Sequence, residues 1–531
     1  MTHTKTEIQK KQTFLQTGGM IKILLLPFLL TLIFLSLVFW QNLSLERSLP
    51  SEGWSRTISL HGEVGMSPAF VYSDEAGIHI YSHNDHKVTH FNATDGLKVK
   101  NKTELPVKIP AMAPFWAKDN NVLFLQNHSI VFFNGEKEEV LLEGVDGFST
   151  SSDKMMYWQD KRIYSLSTTT FEGTLVGESE FEIDSISVAD ESPSFLVLSD
   201  RTTRVLKATL FQHNNGTFTP TPLFTVDETG VEEFTGLDFI ETDSDIHILY
   251  STFSMAQQKR NYRTYFASLS KDQVQNGADF KEMHYYDDKT RERIRKPRYP
   301  ELFLKDGQPT VLFSAEGSTV GKRTAVNIYE AVQVESNWLS ERRSTSNSVS
   351  VEPAPINSEN VIWLDFSGEQ YAIVGSTTNE EAIAQSLKIT DTDIKSASSA
   401  TLTSVFTGFL MLFLSIMWII FPTVFLTIIF FKDNELIEGK TKWVEYTSVA
   451  LFVAAQLLFH EKLFNRSFYS LAPDYLTFSG SQYMIPILLG ALCYVITMIS
   501  HNREWGIVSK VSYFMGINIL FIMILVGPYT L

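Results

Sequence analysis

Ala113-Pro-Phe-Trp-Ala-Lys-Asp-Asn-Asn-Val-Leu-Phe-Leu-Gln-Asn-His-Ser-Ile-Val-Phe-Phe-Asn-Gly135 carries the pattern that governs the middle of this chain. It opens on a proline and an aromatic pair, turns at Lys118-Asp119, and runs through Val122–Leu125. It turns again before Ile130–Phe133 and ends on Asn134-Gly135. Apolar runs this short, bounded by turn residues, read as strands. The Asn-Gly pair suits a tight hairpin because both positions tolerate positive φ. Comparable runs lie at Ala69–Tyr72, Ile78–Tyr81, Phe195–Leu198, Ile246–Tyr250, Val311–Phe313 and Val361–Leu364. Further turn pairs are Asp95-Gly96, Asp146-Gly147, Asn276-Gly277 and Asp306-Gly307. No long amphipathic helix interrupts the segment from Leu60 to about Gly375.

A loose repeat runs through these strands. Its starts are Ser67-Pro68-Ala69-Phe70, Ala113–Asp119, Phe148–Asp153, Ser192-Pro193-Ser194-Phe195, Leu237-Asp238-Phe239-Ile240, Tyr299-Pro300-Glu301-Leu302 and Glu352-Pro353-Ala354-Pro355. The spacing of roughly 35 to 60 residues is that of four-stranded propeller blades. The segment resembles degenerate β-propellers whose blades begin on Ser-Pro-Asp-Gly-like starts. The resemblance covers 60–375, lacks a Trp-Asp signature, and implies an architecture, a seven-bladed β-propeller, with no specific family. The proline and aromatic positions read as turn and blade-packing residues.

The 531 residues average a hydropathy of -0.02, with 44% hydrophobic and 20% charged side chains. That average blends two kinds of sequence. The charged fraction excludes a pure transporter bundle, and the apolar fraction excludes general disorder. Of the net charge of -16, residues 41–401 hold 33 basic and 52 acidic side chains, a local excess of -19. An acidic surface disfavours nucleic acid and nonspecific binding to anionic membrane. The one cysteine, Cys493, lies in an apolar stretch, so no intrachain disulfide forms. A large disulfide-free external segment fits a bacterial cell surface, by preference a Gram-positive one.

The apolar sequence crowds the two ends. Ile23–Trp40 is uncharged and long enough to cross most of a bilayer. It reads as an uncleaved signal anchor, because Phe39-Trp40-Gln41 stands where a cleavage site needs small residues. Val405–Phe431, with a kink expected at Pro422, the short Tyr446–Phe459, Tyr483–Ile499 and Val511–Val526 make four more spans. Lys5, Lys10, Lys11 and Lys22 put the N-terminus in the cytoplasm. Counting spans then places the large middle domain outside and the 432–442 and 501–510 loops inside. The expected organisation is a cytoplasmic 1–22, an anchor 23–40, a propeller-like extracytoplasmic domain 41–375, a Ser/Thr/Asp-rich linker 376–401, and a four-helix transmembrane domain 402–531.

No catalytic motif is present: there is no His-Glu-x-x-His, Gly-x-Ser-x-Gly, Gly-x-Gly-x-x-Gly or cysteine pair. No metal ligand set and no cofactor is expected. Gly317–Thr324 resembles a phosphate loop, but its glycines are one residue too close and Arg323 replaces the required Ser or Thr. In the basic stretch 289–298, Arg291, Arg293 and Arg295 alternate, so an extended backbone puts three guanidinium forks on one face. An anionic polymer, a lipid headgroup or an acidic protein is the ligand such a face suits. The competing reading is a solvated loop whose charges pair with Asp287, Asp288 and Glu292. Gln456 and Asn518 are polar at membrane depth and suit hydrogen bonds between helices or to a membrane partner. The absence of mid-depth charges argues against an ion-coupled transporter.

The leading expectation is a multi-pass membrane protein whose external propeller binds, scaffolds or senses. The alternatives are an extracytoplasmic hydrolase or lyase with acids from several blades at the propeller channel, and an accessory subunit of a membrane export complex.

Overall fold

The apolar runs of the middle segment form strands buried on both faces, as Phe195–Ser199 is throughout its length. Double burial requires neighbouring sheets on each side, and a ring of sheets supplies them. The computed structural model describes residues 2–530 except 85, 191, 215, 229–231, 257, 319–323, 347, 434, 437–440 and 501–504. Parts of the phosphate-loop-like stretch and of the two expected inner loops therefore lie outside the described residues. The chain divides into two compact units, Ser48–Lys388 and a helical unit made of Met1–Arg47 with Ile389–Leu531.

Ser48–Lys388 is a seven-bladed β-propeller built from seven antiparallel sheets, each wound outward from its first strand. The first strands are Phe70–Asp74, Phe115–Lys118, Gly147–Thr150, Ile183–Val188, Glu232–Glu241, Arg295–Lys305 and Val349–Pro355. Each of the first six touches the first strand of the next blade around the central channel. Six of the seven repeat starts fall on or directly before these strands; Ser192–Phe195 instead precedes the second strand of the fourth blade. Asp306-Gly307 makes the expected two-residue hairpin, with φ of 52° and 75°. Asp146-Gly147 instead lies where one blade passes to the next.

The ring closes on its own N-terminal strand. Ile58–Val64 completes the seventh blade by pairing antiparallel with Tyr371–Thr377. Where the chain enters and leaves, the Ser55 amide donates to the Thr377 carbonyl (2.9 Å) and the Thr377 amide to Ser55 Oγ (3.1 Å). The entering segment is anchored further by Trp54, whose ring lies 4.3 Å from the Arg343 guanidinium and 4.8 Å from Lys305 Nζ. The sixth blade has a fifth strand, Tyr285–Asp287, running parallel to Asn337–Arg342 at its outer edge.

The helical unit holds α1 (Thr2–Glu46), α3 (Asp391–Phe409), α4 (Met411–Lys432), α5 (Lys442–Leu458), α6 (Ser481–Ser500) and α7 (Ile507–Leu525). Before it, α2 (Glu380–Ser386) ends the propeller unit. Four helical stretches are long and apolar enough to cross a membrane: Ile23–Glu46, Asp391–Lys432, Ser481–Ser500 and Ile507–Leu525. The 17 residues of α5 extend about 26 Å at the helical rise, short of a ~30 Å hydrocarbon core, so the spans number four or five. Pro422 sits inside α4, and the expected span is divided at Leu410, between α3 and α4. The helix α7 is the hub, packed against α1, α3, α4, α5 and α6.

Residues 376–401, read from composition as a linker, contain α2 and the first half of α3. The Ser/Thr/Asp/Asn content that suggested a linker supplies helix caps. Asn379 Oδ1 accepts from the Ala382 amide, and Thr390 with Asp393 forms a reciprocal capping box at the start of α3.

Candidate functional site: an acid-lined channel

Three consecutive inner strands each bring one carboxyl to the channel: Asp238 in the fifth blade, Glu301 in the sixth and Glu352 in the seventh. All three strands are irregular there. Their ladders shift register between Phe234 and Gly236, between Arg298 and Glu301, and between Val351 and Ala354. Prolines explain the last two, because Pro297, Pro300 and Pro353 cannot donate a ladder bond. The residues before them, Lys296, Tyr299 and Glu352, adopt left-handed φ of 57°, 50° and 48°. A residue before proline is ordinarily pushed to extended backbone. Such bulges redirect side chains and store strain, and they gather beside functional sites.

The carboxyls differ in their support. Asp238 joins two blades: its Oδ1 accepts from the Phe239 amide (2.8 Å) and its Oδ2 from the Leu302 amide (2.7 Å). Burial nevertheless pushes it up to about 6, with the Asp190 charge adding to the effect. Glu301 lines the cleft between the fifth and sixth blades, with its side chain in contact with solvent. Burial, then the charges of Asp238 and Glu352, lift it well above the usual carboxylate range. Burial pushes Glu352 up to about 7, and its Oε1 is buried without a hydrogen-bond partner. Among the described residues neither Glu301 nor Glu352 pairs with a cation.

A cleft of about 350 Å³ opens between the fifth and sixth blades, lined by Asp238, Glu301, Ser251, Tyr262, Arg298 and Tyr299. Among the described residues its one cation is held elsewhere: Arg298 stacks 4.9 Å from the Tyr262 ring and lies 3.9 Å from Glu316. Near neutral pH these carboxyls share fewer protons than sites. The arrangement can accept an ammonium group by releasing protons, or present a protonated carboxyl as a hydrogen-bond donor.

The three arginines do not share one extended face. Arg291 lies in a tight turn with φ of 56° and is 3.4 Å from Asp288. Arg293 forms an isolated bridge with Tyr286, and its guanidinium is 3.2 Å from His284 Nδ1 and 4.0 Å from Glu282. Arg295 begins the inner strand of the sixth blade. Asp287, expected to pair with them, instead accepts from the Lys289 and Thr290 amides and the Thr290 hydroxyl.

In the helical unit Gln456 and Asn518 are both fully buried and bonded to each other. A second polar contact was not anticipated. Lys510 Nζ lies 3.4 Å from Glu445 Oε2, and the Tyr494 hydroxyl donates to Glu445 Oε1 at 3.2 Å. Packing of α5, α6 and α7 buries Glu445. The channel acids were also missed one by one. Their signal was present, since three successive repeat starts each contain an acid beside a proline or aromatic residue.

No family model matches the chain, and no curated protein matches it. Among solved structures, the propeller is similar to the N-terminal domain of Nup159, at 12% identity over 62% of this chain and 96% of that one (TM-score 0.35). It is also similar to the WD40 domain of SCAP from fission yeast, at 10% identity over 62% and 100% (TM-score 0.34). Hsv2 of Kluyveromyces lactis matches at 10% identity over 59% and 97% (TM-score 0.34).

Proposed function

We propose that this is a multi-pass membrane protein whose propeller is an extracytoplasmic binding or sensing module, with the channel cleft as its ligand site and an ammonium-bearing molecule as its ligand. The single observation that carries this reading is the convergence of Asp238, Glu301 and Glu352, which have no cationic partner among the described residues. The N-terminal lysines and the helices flanking the propeller in sequence support the orientation, with the N-terminus cytoplasmic at a bacterial cell membrane. Helices α3 to α7 anchor the module and offer a surface to a membrane partner.

Calorimetric titration of the detergent-solubilised chain with a short diamine tests the site. Binding should release protons, so the measured heat should depend on the ionisation enthalpy of the buffer. Glu301→Gln should weaken it roughly tenfold. Buffer-independent heat, or unchanged affinity in the variant, would overturn the reading. Protease treatment of intact cells tests the orientation: loss of the propeller supports it, and protection of the propeller contradicts it.

The raised carboxyls also favour a second reading, a hydrolase or lyase using one of them as general acid. Turnover of a chromogenic glycoside abolished by Glu352→Gln would establish it.

A further inference from the structure

The polar contacts between α5 and α7 recur in one order along both helices. Near their starts Glu445 meets Lys510, and further along Gln456 meets Asn518. Just past the end of α5, the Thr530 hydroxyl donates to the Leu463 carbonyl at 2.9 Å, and Asn465 Nδ2 donates to the Thr530 carbonyl at 2.8 Å. The two helices therefore run parallel. With the single turn His460–Leu463 added, α5 reaches as far as α7 and the turn Gly527–Thr530 that follows it. Since α7 is long enough to cross a membrane, the shorter α5 ends at the same depth.

Between α5 and α6 three short helices, His460–Leu463, Arg466–Leu471 and Asp474–Thr477, fold into a bracket. Its inner side, Leu463, Phe464, Phe468 and Leu476, is buried in the helical core. Asn465 caps the second short helix by accepting from the Phe468 amide (2.9 Å), and the Tyr469 hydroxyl donates to Gln482 Oε1 (2.8 Å) at the start of α6. The outer side is aromatic, with Tyr475, Phe478 and Tyr483 all exposed. Such rings concentrate where an apolar phase meets water, as at the edge of a bilayer. The charges of the bracket, Glu461 and Asp474 against Lys462 and Arg466, sum to zero. All four are exposed, and among the described residues none of them forms an ion pair.

We propose that residues 459–480, with Tyr483, lie in the lipid headgroup layer with their aromatic side toward the lipid, and that α5 is a fifth crossing. The inference rests on the membrane reading of the helical unit. Continuity identifies the occupant, because the bracket begins where two parallel helices end and Thr530 holds it there. A balanced set of charges offers nothing to recruit an acidic or a basic protein.

The test places nitroxide labels on the full chain. Cys493 is fully buried, so the reagent should mark only an introduced cysteine, which the natural chain verifies. Tyr475→Cys, Phe478→Cys and Ile420→Cys all fall at exposed positions, the last near the middle of α4. Each labelled variant is reconstituted into phosphatidylcholine vesicles, and collisions with oxygen and with a water-soluble nickel chelate give the depth of the label. The Ile420 label should read about 15 Å from the edge of a ~30 Å hydrocarbon core. The labels at 475 and 478 should lie within about 10 Å of that edge. If those two are as open to nickel as a label in water, the proposal is overturned. Shielding of both from oxygen and nickel alike, the signature of a covering protein surface, overturns it too. An Ile420 label open to nickel would instead overturn the membrane reading itself.

Discussion

Gln456 on α5 and Asn518 on α7 meet inside the helical bundle, the Gln456 Nε2 donating to Asn518 Oδ1 across 2.7 Å with neither residue exposed. Hydrogen bonds between membrane helices contribute about 0.6 kcal/mol on average and up to about 1.7. Asn518→Leu should lower the thermal midpoint in detergent, because it strands the Gln456 amide. The double change Gln456→Leu with Asn518→Leu should cost less than the two single changes summed, since it leaves no orphaned polar group. A thermal-shift cycle over the four proteins checks this.

Glu352 makes stability depend on pH. Its folded value of about 7 lies above the unfolded value near 4.3, so the folded state holds the proton more tightly. The benefit is fully present below about pH 4 and is lost as pH rises through about 7. Glu352→Gln removes this dependence. The variant should match the natural protein near pH 4 and exceed it by on the order of 2 kcal/mol at pH 8. Denaturant melts at the two pH values read the difference.

His90 works in the opposite direction. Burial, followed by the neighbouring His79, holds it down at about 4, and its Nε2 lies 3.0 Å from His79 Nδ1. His79 Nε2 in turn lies 3.1 Å from Asp74 Oδ1. The unfolded chain takes up this proton near pH 6.5 and the folded chain does not. Stability is thus intact above about 6.5 and declines as pH falls toward 4, by on the order of 2 kcal/mol. His90→Gln should flatten that decline, as seen in chemical melts between pH 7 and 4.

Arg343 and Glu330 are both nearly inaccessible and are joined by two hydrogen bonds of 2.9 and 3.1 Å. Arg343→Ala should destabilise the propeller by about 3 kcal/mol, because the buried carboxylate loses its main partner. Some support remains from Lys305, 2.7 Å from Glu330. Arg343→Lys should recover only part of the loss, since it restores one bond of the fork.

Gly408 permits the close approach of α3 to the end of α7. A Cβ there would stand 2.3 Å from the Met523 carbonyl oxygen, and one at Gly527 would stand 2.8 Å from Gly408 Cα. Gly408→Ala should cost about 1–3 kcal/mol by forcing the helices apart. Gly408→Leu should abolish recovery of folded protein in detergent, as read by size-exclusion chromatography.

The propeller was legible because its evidence is local. Pairs such as Val122–Leu125 and Ile130–Phe133 show strand and turn directly, and their recurrence implies a ring. The closure by Ile58–Val64 was hidden, because it pairs residues more than three hundred positions apart. The helices in 376–401 were hidden for another reason: Asn379 and Thr390 look alike as linker residues and as caps until the backbone amide they receive is known. The channel acids needed three-dimensional neighbours. Asp238, Glu301 and Glu352 each resemble a solvated surface acid until three inner strands bring them together. Gln456 and Asn518 stood out singly against apolar sequence, but nothing linear joins positions 62 residues apart.

The Ser55–Thr377 clasp also sets how the propeller responds to load. Both connections to the helical unit leave through the seventh blade, at adjacent ends of two antiparallel strands. A pull that separates them bears on the pairing of Ile58–Val64 one bond at a time, in the manner of a zip rather than a lap joint. The sixth blade shares the load through the stacking of Trp54 on Arg343 and Lys305, and the other five lie outside that path. Once Trp54 is drawn off Arg343 and Lys305, tension between the two connections is released by peeling the N-terminal strand from the seventh blade. The result is a ring open at one place, with its remaining sheets intact.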